Sequence, residues 1–201
     1  GDGQNVWTIA TDRCKRPTPA NPALPLSPVL DWLRKTLAQP RKRVIAHWIR
    51  AEANLSRADD CPLSPDVEWF CTEIGLHHQN DCLEHTRLDW AAENLLGRTE
   101  CVRLYGLVTN WLLDSKFGTS AKKIGDYAEV PTDLLATYCA NDCVDTWFLK
   151  DFILLNTDEA QQSCMRQDFE VNKIFHDMQY EGCRVDIPAM TMAQLITALD
   201  L

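Results

Sequence analysis

Val130-Pro131-Thr132-Asp133, followed by an apolar-periodic run to about Leu155, constrains the fold of this chain more than any other segment. Proline at the first turn gives up an N–H that would have no partner there, and the acid beside it suits the positive end of a helix dipole. A helix of this length needs a body around it. Upstream, Val44-Ile45-Ala46-His47 reads as a short buried strand, with a helix starting near Arg50 and running through Leu55. Val29, Leu30, Leu33 and Leu37 share one face of an earlier helix that Pro40 stops, and Asn5 to Ala10 is a β-forming run behind a Gly-containing turn. Five prolines between Pro17 and Pro28 mark an irregular connection. Strand, helix, strand, helix is the order of an α/β sheet.

Between Cys61 and Gly118 the pattern is mostly helical, with a short strand at Val67 to Thr72, apolar anchors at Leu83, Leu88, Trp90, Leu95 and Leu96, and a core run at Trp111-Leu112-Leu113. A late helix from about Cys164 to Tyr180 ends at Glu181-Gly182. Cys183 to Pro188 then reads as a strand and a turn, and Ala189 to Leu201 as the start of another helix.

With 201 residues, 45% of them hydrophobic, the chain can bury one sizeable core, or one core and an appendage. Its net charge of -9 argues against coating nucleic acid by bulk attraction, yet leaves a carboxylate-rich site open. The charge is uneven. Gly1 to Asp60 holds 10 basic and 6 acidic residues, net +4, against 10 and 23, net -13, in the remainder. Nine cysteines, an odd number, occur without a secretory leader pattern or a CxxC pair, which favours single, buried, reduced thiols over disulfides or zinc. No apolar run approaches the roughly 20 residues that span a bilayer. A soluble, cytoplasmic protein with no membrane partner is expected.

Tyr138-Cys139-Ala140-Asn141-Asp142 lies within the long helix, so the phenol and the carboxylate share a face one turn apart. That pair suits metal-dependent phosphodiester hydrolysis, the carboxylate holding a divalent ion and the phenol orienting water. A packed tyrosine and a solvated acid are the alternative. The surroundings are more specific: Leu134 to Thr146 resembles the third exonuclease motif of the proofreading domain in family A DNA polymerases, the bacterial polymerase I class. Asp168 to Asp186 resembles the segment where such an enzyme passes into its polymerase domain, with a helix ending in Met178-x-x-x-Gly182 followed by a strand at Arg184-Val185-Asp186. The two matches occur in the family's order.

Arg43-Val-Ile-Ala-His47-Trp48-Ile-Arg50-Ala-Glu52 resembles the second motif, a strand-to-helix corner that reads His-Asn with an acid four residues later, Glu in phage-type members. Trp48 stands where the family has Asn, and Ala51 where an aromatic is usual. A buried strand followed by a solvent-facing Glu is the competing reading. Asn110-Trp-Leu-Leu-Asp114 shares the spacing but lies too near Asp142, and Phe70-Cys71-Thr72-Glu73-Ile74-Gly75-Leu76 imitates the first motif with Cys71 in place of its leading acid. Both read as structural, with Asp81 and Leu83 opening the helix between the second and third motifs. No Asp-x-Glu precedes residue 52. Either the first strand lies upstream of this chain or the domain has lost its chemistry.

The resemblance implies an α/β ribonuclease H-like (DnaQ-like) exonuclease fold, a mixed central sheet flanked by helices, over residues 1–160, with 161–201 connecting to or starting a polymerase domain. It implies 3′-5′ removal of mismatched nucleotides during DNA replication by two Mg²⁺ or Mn²⁺ ions. Asp142 and Glu52 would be ligands, and Tyr138 would orient the water. The partners would be a single-stranded DNA 3′ end and a polymerase domain in cis or on a separate chain, in the host cytoplasm if the protein is phage-encoded. His47, Trp48, Arg50 and Arg43 would contact the strand, Trp48 by stacking a base. The alternative is a catalytically inactive domain that keeps the fold to support a polymerase or bind single strands.

Overall fold

The computed structural model of the chain describes residues 6, 8–11, 13–39, 43–114 and 127–182, the side chain of Asp114 excepted. Two short apolar runs form its sheet. β1, Arg43–Ala46, pairs in parallel with β2, Glu68–Cys71, with Val44 opposite Trp69 and Ile45 opposite Phe70. Trp69, Phe70 and Cys71 are all buried, as a parallel strand covered on both faces requires. The rest is helical: α1 Leu26–Leu37, α2 Ile49–Ala58, α3 Thr72–Gln79, α4 Leu88–Leu96, α5 Glu100–Asp114, α6 Thr132–Leu155 and α7 Glu159–Glu181. The class is α/β, mostly helical. Among the described residues the expected mixed sheet is present only as this parallel pair.

α6 is the spine. It packs against α3, α4, α5 and β1, and its Leu149 and Ile153 are completely buried. Burying each such side chain contributes about 1.5–3 kcal/mol. Gly75 sets the approach of α3: a Cβ there would meet Ile153 Cδ1 at 3.0 Å. α7 closes the opposite side, placing Met165 and Phe169 against β2, with the Phe169 ring 5.2 Å from that of Phe70. The 160/161 division falls in the first turn of α7, and Met165 and Phe169 belong to the same core as β2.

The proline-rich connection is tied to the start of α6. Thr18 Oγ1 and Asn21 Nδ2 each donate to Asp133 at 2.6 Å, and Thr132 Oγ1 donates to the Arg16 carbonyl at 2.6 Å. The bonds from Thr18 and Asn21 hold the carboxyl of Asp133 below its usual pKa.

Several expectations are corrected. Val6 and Thr8 to Ala10 are not a strand; Thr11 makes a single parallel bridge to Leu24, whose N–H donates to the Ala10 carbonyl. The helix expected from Asp81 begins at Leu88, because Asn80 Oδ1 accepts from the Cys82 N–H at 3.0 Å and turns the chain instead. α7 begins before Cys164, where Asp158 and Gln161 form a reciprocal capping box. The eight described cysteines are free thiols, but only Cys61, Cys71 and Cys101 are buried; Cys82, Cys139, Cys143 and Cys164 are exposed. Asn5, Trp7, Pro40 to Lys42 and everything expected from Cys183 to Leu201 lie outside the described residues. Among those described, no helix is long and apolar enough to cross a membrane.

Candidate active site

Four helices and the sheet end enclose a cleft of about 360 Å³. His47 and Trp48 reach it from the β1–α2 corner and Glu73 from the first turn of α3. Arg87, Leu88 and Asp89 come from the start of α4, Cys101 and Tyr105 from α5, and Tyr138 and Asp142 from α6. Thus the cleft joins two segments singled out in the sequence, the His47 corner and the Tyr138 to Asp142 turn, across 90 residues of chain.

Helical spacing places Tyr138 and Asp142 side by side on α6, both lining the cleft. Tyr138 also packs against the small core of Val108, Leu112 and Val130, which fixes its ring. The Cys101 thiol lies 3.5 Å from Asp142 Oδ1. Burial raises the pKa of Asp142 to about 6, against the pull of the Cys101 and Tyr138 hydrogen bonds, and the charges of Asp145 and Asp89 push it the same way. Burial and that same carboxylate hold the Tyr138 phenol far above its usual range, so it stays a donor.

His47 anchors the corner. Its Nδ1 lies 2.9 Å from Thr72 Oγ1, and its carbonyl accepts from the Glu73 N–H at 3.2 Å and the Cys71 thiol at 3.2 Å. Burial pushes its pKa down to about 4, so the imidazole is neutral near pH 7. Trp48, the residue before α2, leaves 59% of its surface exposed at the cleft. Glu52 and Arg50, in the first turn of α2, do not line the cleft; Glu52 lies within electrostatic reach of Cys139 and Cys143. Arg43 pairs at 2.7 Å with Glu68, its cross-strand neighbour.

That pairing is general in the basic third. Arg13 pairs with Asp59, Lys15 and Arg16 with Glu129, Arg34 with Asp31 and Asp60, and Arg57 with Asp177 and Glu181. The net positive charge of the first 60 residues is therefore largely spent against acids of the same fold. One turn beyond Asp142, Asp145 is fully buried and bound to Arg98, and it accepts from Asn141 Nδ2 at 2.6 Å.

Glu73 and Asp89 are the acids that sequence reasoning missed. Glu73 belongs to the segment that imitates the first motif with Cys71 in place of its leading acid, and Asp89 lies in the first turn of α4. Asp89 had one signal, an acid in a first turn next to an apolar face. Among the described residues, no group of three or more His, Cys, Asp or Glu side chains is placed to hold one metal ion. No family model, curated protein or solved structure matches the chain.

Proposed function

We propose that this chain is a 3′-5′ exonuclease-type domain of a family A DNA polymerase, of phage type, with a ribonuclease H-like fold, and that its cleft takes the 3′ end of single-stranded DNA. The observation that carries this reading is the meeting of Tyr138 and Asp142 with His47 and Trp48 around one cleft. The two segments lie about 90 residues apart, and nothing in that separation by itself requires them to be neighbours.

Tyr138 is held by packing one turn from Asp142 at the cleft, which suits a group that orients water at a scissile phosphate. Asp142 has the oxygen donors that suit Mg²⁺ or Mn²⁺. The described side chains do not complete a two-ion site around it. The same observation favours a second reading, a domain without hydrolytic activity that binds the strand or supports the polymerase in cis or on a separate chain.

One assay separates the two. The full chain is incubated with 5′-labelled single-stranded DNA and Mg²⁺ or Mn²⁺, beside Asp142→Ala. Stepwise shortening that disappears in the variant supports the nuclease, and an intact strand at high protein concentration supports the binding domain.

A further inference from the structure

The wall of the cleft formed by Arg87, Leu88 and Asp89, with Tyr105 beyond it on α5, has no role in the reading above. Building on that reading, we infer that Arg87 and Tyr105 form the subsite that grips the strand behind its 3′ end, the guanidinium on a backbone phosphate and the ring against a base.

Charge makes the case. Glu73, Asp89 and Asp142 line the cleft, and a phosphodiester entering it meets their repulsion. His47 cannot offset this, because it is neutral near pH 7. Among the described lining residues Arg87 is the one cation. It is also fixed in place: Nε and Nη2 donate to Asp89 at 3.1 and 2.5 Å, and the guanidinium carbon stands 5.5 Å from the centroid of the Tyr105 ring. Asp89 uses two of the five guanidinium N–H donors, so a phosphate oxygen can be taken by others. With 63% of its side chain exposed, Arg87 is open to an incoming strand.

Size agrees with a short grip. Small-ligand sites run from about 300 to 1,000 Å³, and a cleft of about 360 Å³ is at the lower end of that range. An aromatic face beside a cation is the combination by which single strands are held without reading sequence.

The test is a salt-dependent binding titration, run on the full chain carrying Asp142→Asn so that the strand stays intact, with 5′-fluorescein oligo-dT followed by anisotropy. Adding Arg87→Ala is expected to weaken binding about tenfold and to make the slope of log K against log salt shallower by about 0.7, the value for one lost phosphate contact on a single strand. Arg87→Lys keeps the charge and should restore the slope, which guards against misfolding in the alanine variant. Tyr105→Ala should weaken binding with the slope unchanged, and Tyr105→Phe should bind as the parent does. If Arg87→Ala binds with the parent's affinity and slope, the subsite is wrong while the exonuclease-type reading stands. A parent that does not bind the oligonucleotide at low salt overturns both.

Discussion

Asp142 and Asp145 lie three residues apart on α6 and have opposite surroundings. Asp145 is fully buried, but Arg98 and Asn141 satisfy it. Asp142 faces the cleft, has the Cys101 thiol 3.5 Å away and no cation paired with it among the described residues, and its pKa is raised to about 6. A carboxylate kept for stability has its charge compensated where it sits, whereas one kept for chemistry is left uncompensated until a ligand arrives. The same division runs along the helix. The half that carries Leu149 and Ile153 is core, and the half that carries Tyr138 and Asp142 is a cleft wall.

The largest effect should come from breaking the compensated partner. Arg98→Ala leaves the Asp145 charge buried without its cation and should cost about 3–5 kcal/mol in urea unfolding. A loss under about 1 kcal/mol would mean that the two acids are not so different. Next is His47, whose pKa falls from 6.5 to about 4 on folding. The folded state binds fewer protons between those values, so stability rises with pH across the window, is complete above about 6.5, and is lost as pH falls toward 4. Compared with His47→Gln, wild type should lose about 2–3 kcal/mol between pH 7 and pH 4. A flat difference would place the imidazole in water.

Asp142→Asn should act in the other direction and less strongly. A raised carboxylate pKa means that folding is penalised above about pH 6 and relieved as pH falls toward 3.8. The amide should therefore stabilise the protein by about 1–2 kcal/mol at pH 7, with the gain fading by pH 4. Destabilisation of the size expected for Arg98→Ala would erase the distinction between the two acids.

What was legible in the sequence was local. The periodic run of α6 and the strand-to-helix corner at His47 depend on neighbours a few residues away, and both stand where they were expected. The partners of Asp145 and Asp142 were not legible. Arg98 lies 47 residues from Asp145 and Cys101 lies 41 from Asp142, and no periodicity encodes those meetings. The place of Glu73 at the cleft was not legible either, because it depends on the parallel pairing of β1 and β2, which brings the start of α3 beside His47. The basic third was misleading for a related reason. Its net charge is real, but the acids that neutralise Lys15, Arg16, Arg43 and Arg57 come from later in the chain.

On the proposed exonuclease reading, Asp142 serves chemistry and Asp145 serves the fold. The most direct test of that division measures 3′-end shortening of labelled single-stranded DNA per folded molecule for Asp142→Asn and Asp145→Asn side by side, in Mg²⁺ or Mn²⁺. If the cleft hydrolyses DNA as proposed, Asp142→Asn is stable and leaves the strand intact, while Asp145→Asn is less stable but shortens it at close to the wild-type rate. Shortening by Asp142→Asn at the wild-type rate would contradict it.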